Sequence, residues 1–308
     1  MNNSTLLKML AVPKTKIDVV LDTDTFNEID DQYAVAYLLR SDDKLNTKAI
    51  YAAPFFNSHS TSPADGMERS YNEILKIVSL CGRDDLKDNI FKGSCDYLAD
   101  EKTPFISPAA EDLAKRAMEY SKDNPLYVVA IGAITNVASA ILINPEIIDK
   151  IVIVWLGGHG YHIPKSANEF NMRQDISAAR VIFGCGAPVV QLPCSGVVSE
   201  FRISKPELEY WLKDKNPLAD YLARNTIREV EDNPNYTERP WTRVIWDVTA
   251  VAWLLNEGGR FMTESLEHAI IPQYDFHYSF SPNTHFYKYV RYIKRDALMA
   301  DLFAKLLK

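Results

Sequence analysis

The sequence predicts an α/β fold with an open, mostly parallel central sheet flanked by helices. Short, β-branched apolar segments alternate along the chain with amphipathic segments that have a helical period. The apolar segments are hydrophobic almost throughout, which is typical of strands covered on both faces. This β-α-β alternation is the pattern of a doubly covered sheet, in which ligands bind at the carboxyl ends of the strands.

The elements follow from these two patterns in chain order. Strands are predicted where apolar residues run together, at residues 17–21, 49–53, 127–131, 151–155, 188–192 and 286–292. Helices are predicted where apolar residues recur every three or four positions, at residues 31–39, 67–80, 109–120, 136–143, 205–213, 217–230, 247–255 and 295–307. The polar segment 231–240 is predicted to be a loop, and we expect a single domain over residues 1–308.

Composition excludes several classes of protein. The 308 residues are 47% hydrophobic and 24% charged, which is ordinary for a globular chain and excludes a disordered or collagen-like one. Acidic residues outnumber basic ones by 41 to 34, giving a net charge of -7, and no block of Lys and Arg could follow a phosphate backbone. We therefore expect no nucleic acid partner.

The cysteines and the apolar runs bear on localisation. The four cysteines form no CxxC pair and are too sparse for a disulfide scaffold, so they are predicted to be reduced. The apolar residues near the N-terminus are interrupted by Lys8, and the longest apolar runs, 127–134 and 151–156, are far shorter than the ~20 residues of a membrane span. We expect a soluble cytoplasmic protein that does not bind membranes.

Acidic residues cluster directly after the first predicted strand, in VVLDTDTFNEIDDQYA at residues 19–34. Acids that close repel one another, and a divalent cation such as Ca²⁺ or Mg²⁺ relieves the repulsion. The purely structural alternative makes Asp30 and Asp31 a helix cap and first-turn acid, and Asp24 an Asx-turn residue. It does not explain the whole cluster, whose members are Asp22, Asp24, Glu28, Asp30 and Asp31.

Two metal-dependent families begin with such a motif. DTDT resembles the first motif of haloacid-dehalogenase-like phosphatases, in which Asp22 would be the nucleophile beside Mg²⁺, but the later strand ends in Gly157 and Gly158 instead of paired acids. The spacing also resembles the DxDxGxDD signature of the inosine-uridine nucleoside hydrolase family, with two extra residues and no glycine in the turn.

Four later motifs follow the order of the nucleoside hydrolase family. AIYAAPFFN ends at Asn57, AIGAITN contains Thr135, WLGG precedes EFN at residues 169–171, and IWDVTAVAWLL contains Asp247. The resemblance runs from about Lys16 to the C-terminal helix and implies a nucleoside hydrolase-like fold. Taken singly, Asn57 could be a turn residue, and Thr135 and Asp247 could merely begin their helices.

The resemblance implies calcium-dependent hydrolysis of the N-glycosidic bond of a ribonucleoside, releasing ribose and a free base. It implies that Ca²⁺ is held by Asp24, Asp31, Asp247 and the carbonyl of Thr135, with Asp24 also the general base. Asp30, Asn57 and Asn171 would bind the 2′- and 3′-hydroxyls, and Glu169 the 5′-hydroxyl. Members of the family commonly form dimers or tetramers, so a homo-oligomer is expected.

Trp246 stands where the family commonly has the histidine that protonates the departing base. An indole N–H cannot supply that proton. Three explanations stay open: another acid such as His59 or His159 serves, the base stacks on Trp246, Phe55 and Phe56, or the substrate has a better leaving group. The missing histidine also leaves open a noncatalytic, metal-dependent binder of sugars or nucleosides.

Overall fold

The computed structural model describes residues 1–308 and contains an eight-stranded sheet flanked by helices. The strand order is β3-β2-β1-β4-β5-β6-β12-β9, and the edge strand β9 is antiparallel to an otherwise parallel sheet. Its strands are Ile17–Thr23 (β1), Leu45–Ala52 (β2), Ile90–Lys92 (β3), Leu126–Ala130 (β4), Ile151–Leu156 (β5), Val189–Leu192 (β6), Met262–His268 (β9) and Phe286–Ile293 (β12). The predicted fold class is confirmed.

Two short antiparallel pairs lie outside this sheet. They join Arg202–Ser204 (β7) to Thr242–Val244 (β8), and Ile271–Pro272 (β10) to Tyr278–Ser279 (β11). The helices are Asn3–Met9 (α1), Ile29–Leu39 (α2), Pro63–Leu80 (α3), Pro108–Arg116 (α4), Thr135–Ile143 (α5), Phe170–Gln174 (α6), Ile176–Gly184 (α7), Lys205–Glu207 (α8, continued by a π-turn), Pro217–Glu231 (α9), Val248–Trp253 (α10) and Arg295–Leu306 (α11).

The first strand is longer than the prediction that ended it at Leu21. Asp22 and Thr23 continue the pairing with β2, because their backbone partners on that strand also continue to Ala52. The polar residues Asp22 and Thr23 are therefore part of the strand, and the site begins before the strand ends.

The sequence did not predict the two strands at the edges of the sheet, β3 and β9. Strand β3 has only three residues, too few to form an apolar run. The side chains of β9 are mostly half-exposed, and its sequence MTESLEH lacks the continuous apolar run of the central strands. Two of its acids, Glu264 and Glu267, instead pair with Lys288 and Arg291 on β12.

The core occupies both faces of the sheet. Along β1, Val19 and Leu21 belong to a cluster of 59 buried residues, whereas Val20 belongs to a separate cluster of 35. Alternate side chains of a strand point to opposite faces, so each face is covered by its own layer of helices. No helix in the chain combines the length and the hydropathy that crossing a bilayer requires.

The chain reverses its direction of travel across the sheet at β1. It passes from β1 to β2 and β3 on one side, and then returns to build β4, β5 and β6 on the other side. The carboxyl ends of β1 and β4 therefore flank a topological switch point, which is where open α/β sheets form ligand crevices.

Candidate active site

A cavity of about 560 Å³ opens at this switch point. Six of the residues predicted from sequence line it: Asp30, Asp31, Glu169, Asn171, Trp246 and Asp247. Three others, Asp24, Asn57 and Thr135, do not line it. The charges of Asp30 and Asp31 act on Asp24, and Asn57 bonds to Asn27 on the cavity wall.

The acidic turn after β1 brings its two ends together despite the two extra residues. The backbone N–H of Asn27 donates to the carbonyl of Asp24 at 2.6 Å, which closes the turn. Helix α2 then begins at Ile29, so Asp30 and Asp31 stand in its first turn. Asp31 lies close enough to Asp24 for its charge to act on that carboxyl group.

Carboxylate oxygens of Asp30, Asp31 and Asp247 lie within 4.8 Å of one another, and all three residues are buried. Asp31 also accepts a hydrogen bond of 2.5 Å from the hydroxyl of Thr23. Both carboxylate oxygens of Asp24 and one of Asp30 are buried with no hydrogen-bond partner. Asp24 therefore does not form the Asx-turn that the structural alternative required.

These buried acids disturb one another's ionisation. Burial raises the pKa of Asp24 well above its usual range, and the charges of Asp31 and Asp30 raise it further. Burial raises the pKa of Asp31 to about 7, although the Thr23 hydroxyl opposes this shift. The pKa of Asp247 is raised by burial and by the charges of Asp30, Asp31 and Asp24. A bound cation would remove this cost, since it favours the ionised form of every acid near it.

A cation fits the donor set on chemical grounds. Asp24 and Asp30 supply buried oxygens without partners, and the oxygens of three carboxylates converge. Hard oxygen ligands of this kind are those that Ca²⁺ and Mg²⁺ prefer. Gly132 permits this packing, because a Cβ at that position would come within 3.0 Å of the Asp24 carboxyl group.

Thr135 is the first residue of α5, directly after β4 and its loop. Its hydroxyl donates to Asp175 at 2.7 Å, so the side chain is occupied and only the backbone carbonyl is available for the predicted role. Asp175 in turn caps α7 through the N–H of Ala178.

Glu169 is the N-cap of α6 and forms the far wall of the cavity. Its carboxylate accepts hydrogen bonds from the backbone N–H groups of Gly158, Asn171 and Met172 at 2.8 to 3.0 Å. The side-chain amide of Asn171 donates to the carbonyls of Ile131 and Leu156, which fixes its orientation on the cavity wall.

Asn57 lies one contact away from the cavity. Its side-chain amide donates to Asn27 Oδ1 at 2.6 Å, and Asn27 lines the cavity.

Sequence reasoning missed Asn27, although its place inside the lengthened acidic turn was the available signal. It also missed Arg243, which bonds Glu28 and Glu229 and whose charge favours the ionised form of Asp30.

The sequence profile described as inosine-uridine preferring nucleoside hydrolase matches residues 19–284. This chain belongs to that family. The chain is 26% identical over 266 residues to the pyrimidine-specific ribonucleoside hydrolase RihA of Citrobacter koseri. This match covers 78% of this chain and 80% of the relative.

Two other relatives either match less of this nucleoside hydrolase or have lower sequence identity to it. RihA of Salmonella schwarzengrund is 29% identical over 158 residues, and the match spans about half of each protein, 50% of this chain and 49% of the relative. A solved plant nucleoside hydrolase, PpNRh1, superposes with a TM-score of 0.73 at 19% identity over 94% of this chain and 99% of that one, which shows a shared fold.

Membership in the nucleoside hydrolase family decides against the phosphohydrolase alternative. Asp22, which that alternative needs as its nucleophile, accepts a hydrogen bond of 2.8 Å from the side chain of Asn136. It does not line the cavity. Burial raises its pKa to about 7.

Proposed function

We propose that this protein hydrolyses the N-glycosidic bond of ribonucleosides with the help of a bound calcium ion. The observation that carries the proposal is the convergence of the buried carboxylates of Asp30, Asp31 and Asp247 on the wall of a cavity at the switch point of the sheet. Asp24, whose charge acts on Asp247, adds two buried oxygens without a hydrogen-bond partner. Family membership supports the reaction class. The roles of the individual residues and the substrate are proposed from the resemblance of their motifs to those of the family.

The proposed calcium ligands are Asp24, Asp31, Asp247 and the backbone carbonyl of Thr135. Asp30 converges on Asp31 and Asp247 as closely as a ligand would, so it provides a further carboxylate on the cavity side. When bound, the cation supplies Lewis acidity that lowers the pKa of a coordinated water.

Asp24 is the proposed general base. It is buried with two free oxygens, so a water next to it has an acceptor and no competing protein donor. As the water attacks the anomeric carbon, its proton passes to Asp24 while positive charge develops on the sugar ring. The remaining buried carboxylates stabilise that charge.

The sugar hydroxyls would meet the polar wall of the cavity. Asp30 and Asn171 line it and are proposed to bind the 2′- and 3′-hydroxyls together with Asn57. For Asn57 this requires its side chain to turn away from Asn27. Glu169 is proposed to accept the 5′-hydroxyl, because a carboxylate with three backbone donors still has a lone pair available.

Trp246 lines the same cavity and is proposed to contact the base or the sugar through its ring. It cannot protonate the leaving group. A ribonucleoside is the proposed small-molecule partner, and we further propose a dimeric or tetrameric assembly in the cytoplasm, with a role in purine or pyrimidine salvage.

The test is an assay of ribose release from inosine and uridine, with calcium and with a chelator, alongside phosphate release from a nucleotide. We expect calcium-dependent release of ribose and no release of phosphate. Thermal stabilisation by a nucleoside without any release of ribose would overturn the enzymatic proposal and favour the noncatalytic binder.

A further inference from the structure

A second cavity adjoins the first and lies outside the proposed metal and ribose sites. It has an empty volume of about 710 Å³ and shares Asn27 and Glu28 with the cavity of the acidic cluster. Phe26, Gln32 and His59 are on its wall. Gln32 is more than nine-tenths buried and its Oε1 has no hydrogen-bond partner, so this wall offers a ligand an unused polar group.

His59 is held in one tautomer by the backbone. Its Nδ1 lies 2.8 Å from the carbonyl oxygen of Asn27, which can only accept, so Nδ1 carries a hydrogen. The backbone N–H of His59 donates to Asn57 Oδ1 at 2.8 Å, and the side-chain amide of Asn57 donates to Asn27 Oδ1. The imidazole therefore gains and loses its second proton at Nε2.

His159, on the wall of the first cavity, is held in the opposite tautomer. Its Nδ1 accepts a hydrogen bond from the backbone N–H of Ser195 at 3.3 Å, so the hydrogen of the neutral ring is on Nε2. Burial and the nearby charge of Arg173 lower the pKa of His159. A neutral imidazole does not give up its remaining proton near neutral pH, so His159 is a hydrogen-bond donor and not an acid.

Acidic side chains outnumber basic ones on the cavity wall that His59 shares. The acids on the wall of the second cavity are Glu28, Glu73 and Glu229, the cation is Arg228, and Tyr221 also faces it. Arg243 pairs with Glu28 and Glu229 and offsets part of their charge. Burial raises the pKa of Glu229, and the nearby charges of Arg243 and His59 oppose this shift.

Resting on the proposed function, we infer that the base of the ribonucleoside occupies the second cavity and that His59 is the catalytic residue that protonates it.

In this step the bond between the anomeric carbon and the base nitrogen breaks, and its electron pair stays with the base. The Nε2 proton of His59 moves to the base, the water oxygen bonds to the anomeric carbon, and the water proton moves to Asp24. Both side chains then exchange protons with solvent. The substrate class is a nucleoside with an unactivated purine or pyrimidine base.

The experiment compares inosine, whose base leaves poorly without a proton, with p-nitrophenyl riboside, whose phenolate leaves readily without one. For His59→Ala we expect kcat/KM with inosine to fall by about 100-fold or more, and with p-nitrophenyl riboside by less than about threefold. The decline of kcat/KM for inosine at high pH should disappear in the variant. The retained activity on p-nitrophenyl riboside reports that the variant is folded.

Two further variants make the result decisive. His268 lies at the end of the edge strand β9, outside both cavities, and its ring bonds the carbonyl of Thr284. His268→Ala should leave kcat/KM for both substrates unchanged. His159→Ala should change the two substrates by the same factor. An equal loss on both substrates in His59→Ala, no loss at all, or a loss confined to inosine in His159→Ala would overturn the assignment. If the wild type cleaved neither riboside, the proposed function itself would fail.

Discussion

Two groups of buried carboxylates lie at the same edge of the sheet, and they differ in what surrounds them. Glu169 and Asp175 each accept hydrogen bonds from two or more backbone N–H groups, and each caps a helix. Asp24 and Asp30 are equally buried, yet three of their oxygens have no partner. The capping carboxylates are satisfied by the protein alone, whereas the others need a ligand from outside.

This difference separates residues that hold the site from residues that act in it. An unsatisfied buried carboxylate is costly, and a fold keeps several of them together only if something else is bound there. We therefore expect substitutions in the two groups to have different consequences. Changes to the unpartnered group should abolish binding and turnover, whereas a change to Asp175, the capping carboxylate that does not line the cavity, should mainly lower stability.

The largest effect is expected from removing a proposed metal ligand. Asp31→Ala and Asp247→Ala should each lose bound calcium and ribosidase activity together, because the remaining acids then repel one another with too few ligands to hold an ion. Calcium content and ribose release are measured on the same samples. Full activity of either variant, or of the wild type after exhaustive chelation, would contradict the assignment.

A smaller but still large effect is expected from Asp24→Asn. The amide keeps the shape and one oxygen but cannot accept a proton, so kcat should fall by about 100-fold to 10,000-fold while the thermal transition remains cooperative. Steady-state kinetics with inosine measure this effect. A variant within about threefold of the wild type would exclude Asp24 as the base.

Stability should depend on pH in opposite ways with and without the ion. Burial raises the pKa of Asp31 to about 7 in the metal-free fold, so the folded chain binds this proton more tightly than the unfolded chain. The stabilisation is therefore present at low pH and is lost as the pH rises through about 7. Calcium should reverse this trend, since it binds the ionised carboxylates.

Melting curves between about pH 5 and about pH 8, with calcium or with a chelator, measure this dependence. The chelated Asp31→Asn variant, which has no group to titrate at that position, should lose part of the slope. Identical slopes with calcium and with chelator would show that the acids do not share an ion.

The smallest effect is expected from Asp175→Ala. The variant loses the helix cap at Ala178 and the bonds from Leu98 N–H and the Thr135 hydroxyl, which should lower the free energy of unfolding by about 2 kcal/mol. Denaturant unfolding measures this change. Calcium binding should persist, and its complete loss would show that the capping and unpartnered groups are not separable.

The fold was predictable because its central strands are covered on both faces. Such strands must be apolar almost throughout, and the residues of β4 and β5 carry that signal in the sequence. The missed strand β9 is half-exposed and relies on charged pairs with β12, which leave no apolar run to detect. Prediction therefore failed where burial was partial.

The site was predictable in part for a similar reason. Asp24, Asp30 and Asp31 are close in sequence, so their clustering could be seen directly. The contacts between Asn27, Asn57 and His59 could not, because they depend on how the loop after β2 packs against the acidic turn. The two histidines also looked alike in sequence, and only their opposite hydrogen bonds at Nδ1 distinguish them.

The most direct measurement of the central claim is a calcium titration of the metal-stripped protein, in which bound calcium and the rate of ribose release from inosine are followed in the same sample. We expect the rate to be negligible in the stripped protein and to rise in proportion to bound calcium until the carboxylate site is filled. A full rate in the stripped protein, or calcium binding with no ribose release from any riboside, would contradict it.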